Sequence, residues 1–290
     1  MNSDPRVSDA RQQLESWVGN ATVTRGFAHG AYADVLAATL NRDDPPFVHG
    51  VPFPPGWHWL CFPEVVKLDD TGHDGHARTG GFMPPVPLPR RMWGGNRMTF
   101  EQPVRAGDML ERRSTIARVQ QKDGAGGKLC IVSVRHEISN PRGICTVEEH
   151  DVVYREDVKP GAPAAKPRPA PADAVWSSTV TPSPVLLFRF SALTMNSHRI
   201  HYDRGFAVDQ EGYPGLVFHG PLTMILLMDL CRRELRGAEL AAFSVRATAP
   251  LFDTRPFGIY GAPGDSPDTA RFWALTPDGA LAMDGEAVLR

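Results

Sequence analysis

No run of about eighteen apolar residues occurs in this chain, the length a membrane-spanning helix needs, so no such helix is expected. The longest apolar stretch, Leu222 to Leu230, is interrupted by Thr223 and Asp229. Charge of one sign is lacking as well. The 31 Lys and Arg against 33 Asp and Glu leave a net charge of −2, which gives no electrostatic footprint for nucleic acid. Cysteine is scarce: Cys61, Cys130, Cys145 and Cys231 are scattered, with no CxxC pair. They read as reduced, buried thiols of a cytosolic protein, with no metal or nucleophilic role. A basic-then-apolar leader is missing too, and MNSDPRVSDARQQLESW reads as an ordinary helix.

What is present is enough for a core. The 290 residues are 42% hydrophobic, suited to one large domain or two of ordinary size. The clearest boundary is 159–174, KPGAPAAKPRPAPADA, a proline- and alanine-rich linker. It separates 1–158 from 175–290. In the first part, helical patterns cover Asp9 to Val18 and Tyr32 to Leu40, and a Pro/aromatic segment covers Phe53 to Pro63. Strand-like runs follow at Arg97 to Phe100, Met109 to Gln120, Leu129 to Ile138 and Ile144 to Tyr154. Val132, Val134, His136 and Ile138 alternate with polar residues, the period of a half-buried strand. Asp123 to Gly127 and Ser139 to Gly143 read as hairpin turns. In the second part, Val185 to Ser191 reads as a short strand and Pro221 to Leu235 as a helix with proline well placed at its start. Strands are expected near Ala241 to Ala249, Phe257 to Ala262, Thr269 to Thr276 and Leu281 to Leu289. The plan is helix then antiparallel meander, twice. Two such units would join their sheets edge to edge.

Two motifs carry chemistry. Asn196 to Asp203, NSHRIHYD, offers an amide and two imidazoles within six residues. A histidine near neutral pKa can hold or release a proton. The plainer reading makes Asn196 a helix cap and His198 and His201 surface residues. Tyr202 and Asp203 weigh against it, since Asp203 is placed to orient an imidazole. His198 and His201 share an HxxH spacing, but no third ligand is nearby in sequence, so no metal is expected. Gly215 to Pro221, GLVFHGP, leads into the apolar helix. Free N–H groups at that helix start can polarise a thioester carbonyl and stabilise an enolate; the plainer reading gives the glycines only a turn. Arg90 and Arg91, beside Trp93 in PLPRRMWGG, suit a phosphate or carboxylate if the loop is shaped, and are solvated charges if it is not. His73 and His76 read as solvated loop residues.

The order strand, His motif, loop, HG, apolar helix resembles the hydratase-2 or MaoC-like branch of the hot-dog fold, which adds water to trans-2-enoyl thioesters. That branch carries D-x-N-P-x-H. Aligned on His201, Asn196 stands at its aspartate, and His198 and Arg199 replace Asn-Pro. An amide cannot act as a carboxylate base. The departures are similar to a sub-branch with N-x-H-R-I-H-Y-D, which includes mitochondrial 3-hydroxyacyl-thioester dehydratases and bacterial itaconyl-CoA and mesaconyl-C4-CoA hydratases. Pro84 to Asp108 resembles the dehydratase-like first half of the same proteins.

The resemblance implies an α+β double hot-dog, with two long-helix-plus-sheet modules and catalysis in the second alone. His201 would be the acid–base group, Asn196 would hold the water, and the Gly220 N–H would stabilise the thioester oxygen. Arg90, Arg91, Trp93 and Arg199 would contact CoA or substrate, a CoA phosphate being the preferred anion for the arginine pair. His198, Tyr202 and Asp203 would support the site. The implied substrate is an enoyl-CoA, short and branched or dicarboxylic, with no cofactor beyond the CoA that belongs to the substrate. The implied setting is a cytoplasmic homo-oligomer, a dimer, without nucleic-acid or membrane partners. Thioester hydrolysis is the alternative chemistry, with Asp229 too far along the helix to serve it well. A non-catalytic acyl-thioester binder is the alternative of another class.

Overall fold

The structure, a computed structural model, describes residues 13–124, 127–157 and 166–290. Its strands are β1 (Ala21–Phe27), β2 (Arg90–Phe100), β3 (Met109–Gly124), β4 (Gly127–Asn140), β5 (Gly143–Arg155), β6 (Trp176–Val180), β7 (Leu240–Ala247), β8 (Phe257–Pro263), β9 (Thr269–Leu275) and β10 (Leu281–Leu289). They form one antiparallel sheet in the order β1-β3-β4-β5-β2-β7-β10-β9-β8-β6. Cut between β2 and β7, each half runs first, third, fourth, fifth, second strand from its outer edge inward. The sheet is therefore two copies of one pattern joined edge to edge, the double hot-dog arrangement that the resemblance implies. Five residue pairs make the join, from Gly95↔Arg246 to Thr99↔Ala242.

Three α-helices are described: α1 (Gly30–Thr39), α2 (Pro184–Thr194) and α3 (Gly220–Glu234). The run expected as a strand, Val185 to Ser191, is α2. Its start signals override its β-like composition: the Ser183 side chain accepts a hydrogen bond from the Leu186 N–H, and Pro184 occupies the first turn. Helix α3 is apolar on nearly every face and is buried accordingly, with Leu222, Met224, Leu227 and Leu230 at or near zero exposure. Each contributes about 1.5–3 kcal/mol of hydrophobic stabilisation.

The segment with Arg90, Arg91 and Trp93, expected as a loop, is the start of β2; a bulge between Trp93 and Gly95 lets the strand continue past its glycines. The outer strands β1 and β6 lie in segments where no strand was expected. Of the helix expected over Asp9 to Val18, residues 9–12 fall outside the described residues, and the rest show a helical turn at 13–15 followed by turns at 16–18. The Asp123–Gly127 turn and the 159–174 linker also fall partly outside them.

The halves differ where it matters. Among the described residues, the first half has no helix as long as α3; its α1 runs for ten residues. The first half repeats the backbone frame that leads into α3: Phe53 N–H bonds to Val104 O at 2.8 Å, as Phe218 N–H bonds to Leu251 O at 2.8 Å. Bridges Pro52↔Arg105 and Val217↔Phe252 match as well. The frame puts Pro54 and Pro55 where the second half has His219 and Gly220. Two prolines offer no N–H groups, and only a short 3-10 turn follows, Trp57–Cys61.

Arg42, just past α1, straps the first half to α3. Its guanidinium contacts Asp229 at 2.6 Å and Asp44 at 2.6 Å, and lies 4.8 Å from the centre of the Trp57 ring. All three groups are largely buried, so removing the cation leaves Asp44 without its partner and Asp229 with Arg232 alone. The Arg42→Met substitution is expected to lower stability by on the order of 3 kcal/mol in chemical denaturation. A change below about 0.5 kcal/mol would show that the strap does not join the halves.

Candidate active site

Helix α2 ends at Met195, whose left-handed φ of 49° turns the chain back on itself. The Asn196 N–H then bonds to Ser191 O at 2.9 Å, and Asn196 Oδ1 accepts the His198 N–H at 3.1 Å. A 3-10 turn carries Arg199 to His201. Asp203 closes it, accepting from Arg199 Nη2 at 2.7 Å and from the Phe206 N–H at 3.0 Å. Tyr202 donates to Ser197 O at 3.0 Å. Asp203 thus holds Arg199 rather than an imidazole.

The loop that was read as solvated clamps this motif. Gly75, at φ 92°, lies so close to Ser197 that a Cβ there would come within 2.0 Å of its carbonyl oxygen. The Arg199 N–H bonds to Asp74 O at 2.9 Å, and its Nη1 bonds to His73 O at 3.0 Å. His76 stands 4.3 Å from His198, ring to ring, and 3.1 Å from Asp74. Asp74, His76 and His198 therefore bring three ligand atoms within 4.8 Å of one another, the third ligand that chain order hid. Arg91 sits 3.3 Å from Asp74. A guanidinium so close to the single acid makes this a poor cation site.

His201 is 7% exposed. Its Nδ1 lies 2.7 Å from Val217 O. A carbonyl only accepts, so Nδ1 carries the proton and Nε2 keeps its lone pair. Burial pushes this imidazole down to about 4, against an opposing pull from that carbonyl. His219 stacks on it, with centroids 3.7 Å apart and planes 20° apart. His219 is fully buried, its Nε2 is 2.9 Å from Ser191 Oγ, and its Nδ1 has no partner. His198 meets His201 edge-on at 5.5 Å. Burial holds His198 down to about 3 and His219 well below the usual value.

Beside this stack, α3 begins. No side chain caps it, so its first N–H groups face outward from a helix N-terminus with partial positive charge. The Trp93 ring packs against Gly220, where any Cβ would come within 2.4 Å of it. A neutral base thus stands next to oxyanion donors, the two parts that proton transfer beside a carbonyl requires.

The structure brings Asn196, His198, His201, Gly220 and Trp93 together, and Arg199 and Arg91 border them. Arg90 is committed elsewhere, to Asp157 at 2.9 Å and Glu211 at 3.4 Å. His219, Ser191, Asp74 and His76 are additions to the expected set. Only His219 had a local signal, its place in the HG pair. A cavity of about 370 Å³ lies at the opposite end of α3, against Ile225, Met228 and Asp229, away from these groups.

Comparisons with known proteins bear on family and fold. Residues 56–253 match the family model described as hydroxyacyl-thioester dehydratase type 2. The chain is 42% identical over 278 residues to mesaconyl-C(4)-CoA hydratase of Chloroflexus aurantiacus, covering 94% of this chain and 97% of that one. It is 24% identical over 230 residues to the mitochondrial hydroxyacyl-thioester dehydratase type 2 of Schizosaccharomyces pombe, covering 71% and 76%. The crystal structure of a MaoC-like dehydratase from Phytophthora capsici superposes with a TM-score of 0.69 at 13% identity, covering 97% and 98%, a likeness of fold.

The buried histidines set an acid limit. Free histidine titrates near 6.5, so below that pH the unfolded chain binds protons that folded His198, His201 and His136 refuse, the last held down to about 3 by burial. Stability is full above pH 6.5 and falls as pH drops toward 4. Calorimetry is expected to show a Tm loss of roughly 10 °C between pH 6.5 and 4.5. A Tm that is flat over that interval would mean these imidazoles are not buried neutral.

Proposed function

The chain belongs to the hydroxyacyl-thioester dehydratase type 2 family, and on that premise we propose that it adds water reversibly across the double bond of an enoyl-CoA. His201 Nε2 takes a proton from water as the water oxygen attacks C3. The C2–C3 π electrons shift toward the thioester, and the Gly220 N–H with the α3 terminus stabilises its oxygen. His201 then gives its proton to C2, which restores the carbonyl and the neutral imidazole. Asn196 Oδ1 uses one lone pair on the His198 N–H and keeps a second for the water. Hydration needs no redox group. The observation that carries this reading is the tautomer lock, His201 Nδ1 on Val217 O, beside an uncapped helix start.

The acyl group we propose is short and branched or dicarboxylic, mesaconyl or itaconyl, supported by the name of the most similar relative given above. Arg91, rather than the committed Arg90, is the proposed contact for a CoA phosphate, with Arg199 and Trp93 along the path. A homodimer is the proposed assembly, to be checked by sedimentation. Hydrolysis of the thioester has less support, because Asp229, its candidate carboxylate, is tied to Arg42 at 2.6 Å.

The purified protein is to be given crotonyl-, mesaconyl- and itaconyl-CoA, following loss of the enoyl-thioester absorbance and release of free CoA in parallel. Hydration without CoA release is expected; release alone would favour hydrolysis, and neither would favour a binder. The His201→Ala variant should lower kcat at least about a hundredfold with its Tm unchanged within a few degrees. Near-normal turnover in that variant would remove His201 from the mechanism. Asn196→Asp should keep some activity, while Asn196→Ala should lose more, since only the former retains an acceptor for the water; equal, mild losses would leave Asn196 as the turn residue alone. Arg91→Gln should chiefly raise KM for every CoA thioester tested, as a contact remote from the reacting bond does. An unchanged KM would assign Arg91 to Asp74 only.

A further inference from the structure

The inner face of the first half is not apolar throughout. Cross-strand register places Asn96 on β2 opposite His150 on β5, and Glu148 on β5 opposite His136 on β4, which is opposite Ser114 on β3. These side chains share the face of Met98, Phe100 and Ile138, which belong to the main apolar cluster. On their other side lies a second apolar cluster with Ile116, Val132, Val134 and Tyr154. A polar belt therefore crosses the core, in the half that has no long helix over it.

Some of the belt is self-contained. Glu148 accepts from His58 Nε2 at 2.8 Å and Trp59 Nε1 at 3.0 Å. His136 Nδ1 pairs with Ser114 Oγ at 2.7 Å. The rest is not. Asn96 is fully buried, and neither its Nδ2 nor its Oδ1 has a partner. Trp93 Nε1 and Arg112 Nε are buried without acceptors. The acids that act on Arg112 are Glu148 and Glu64, and Glu148 is already taken by His58 and Trp59. Leaving such groups unpaired costs about 1–3 kcal/mol each, so Asn96 and Trp93, both beside His150, call for a partner. His136 and His150 each keep some exposed surface, and His150 stands beside Asn96 and Trp93.

We propose that this belt is the subsite for a free carboxylate at the far end of the acyl group, with Asn96, Trp93 and His150 as donors and Arg112 as counter-charge. Position supports it. The Trp93 ring packs closely on Gly220, and its centre is 6.4 Å from that of the His150 ring. An acyl chain whose thioester oxygen rests on the Gly220 N–H and which runs along that indole reaches Asn96 and His150 next. Unpaired N–H donors and a guanidinium favour an anion over an alkyl group. The inference rests on the enoyl-CoA reading of the site and adds what makes that site prefer one acyl class.

The test uses saturated thioesters, so that it does not depend on turnover. Succinyl-CoA and butyryl-CoA differ by a carboxylate in place of a methyl group. Titration calorimetry on the full chain is expected to give succinyl-CoA a Kd at least about tenfold lower. Asn96→Leu and Arg112→Gln should each bring the ratio below about threefold. If Arg112→Gln does not fold, Asn96→Leu decides, because it replaces an unpartnered amide with an apolar side chain of similar size. Equal affinities in the unaltered protein, or a ratio that survives the substitution, overturn the proposal, as does a stoichiometric metal ion found at His136, Glu148 and His150. A ratio of one with crotonyl-CoA hydration intact fails this inference alone. An intact ratio without hydration of any enoyl-CoA fails the proposed reaction alone.

Discussion

Five residue pairs between β2 and β7 hold the two halves in one sheet, and the site depends on that seam. Strand β2 carries Trp93 on its way to the join, and the join fixes how far the first half lies from α3. The approach is tight. At Gly95, φ 153°, a Cβ would meet Val245 O at 2.4 Å, so no other residue lets the strands close to this distance. The seam sets Trp93 on Gly220, at the start of α3. The polar strap from Arg42 to Asp229 secures the same alignment at the other end of α3.

Within that frame, the chemistry is arranged by hydrogen bonds to backbone. Val217 O decides which nitrogen of His201 holds the proton, and Ser191 holds the neighbouring imidazole of His219. Neither contact involves a carboxylate. In the proposed reaction this is how the chain would do without an aspartate at position 196. His201 is kept neutral by burial rather than tuned by an acid, and the amide at 196 shapes the turn.

The strongest sequence signals were local ones. NSHRIHYD and HGP lie on single continuous segments, and their turn and helix-start chemistry shows in the letters. The strands of both meanders were legible from alternation, as β4 shows. Helix α2 was not, because Val185 to Phe190 has a strand's composition and only Ser183 and Pro184 announce a helix. Arg90 to Trp93 looked like a loop because prolines precede them, and a bulge is needed to see a strand there. The clamp of Asp74 and His76 on His198 joins residues more than 120 positions apart (Arg199 to His73 spans 126), and nothing local in a glycine-rich loop foretells it. The polar belt was hidden for the same reason: Asn96, His136 and His150 meet only through register.

Pro54 and Pro55 have a consequence for the history of such a chain. A module that loses a catalytic side chain can regain it by one codon change. A module that has put prolines where its partner presents backbone N–H groups needs those prolines replaced as well, because a histidine alone would restore a base without the N–H donors beside it. In the proposed reaction the division of labour between the halves is therefore written partly in the main chain, and regaining one side chain does not undo it.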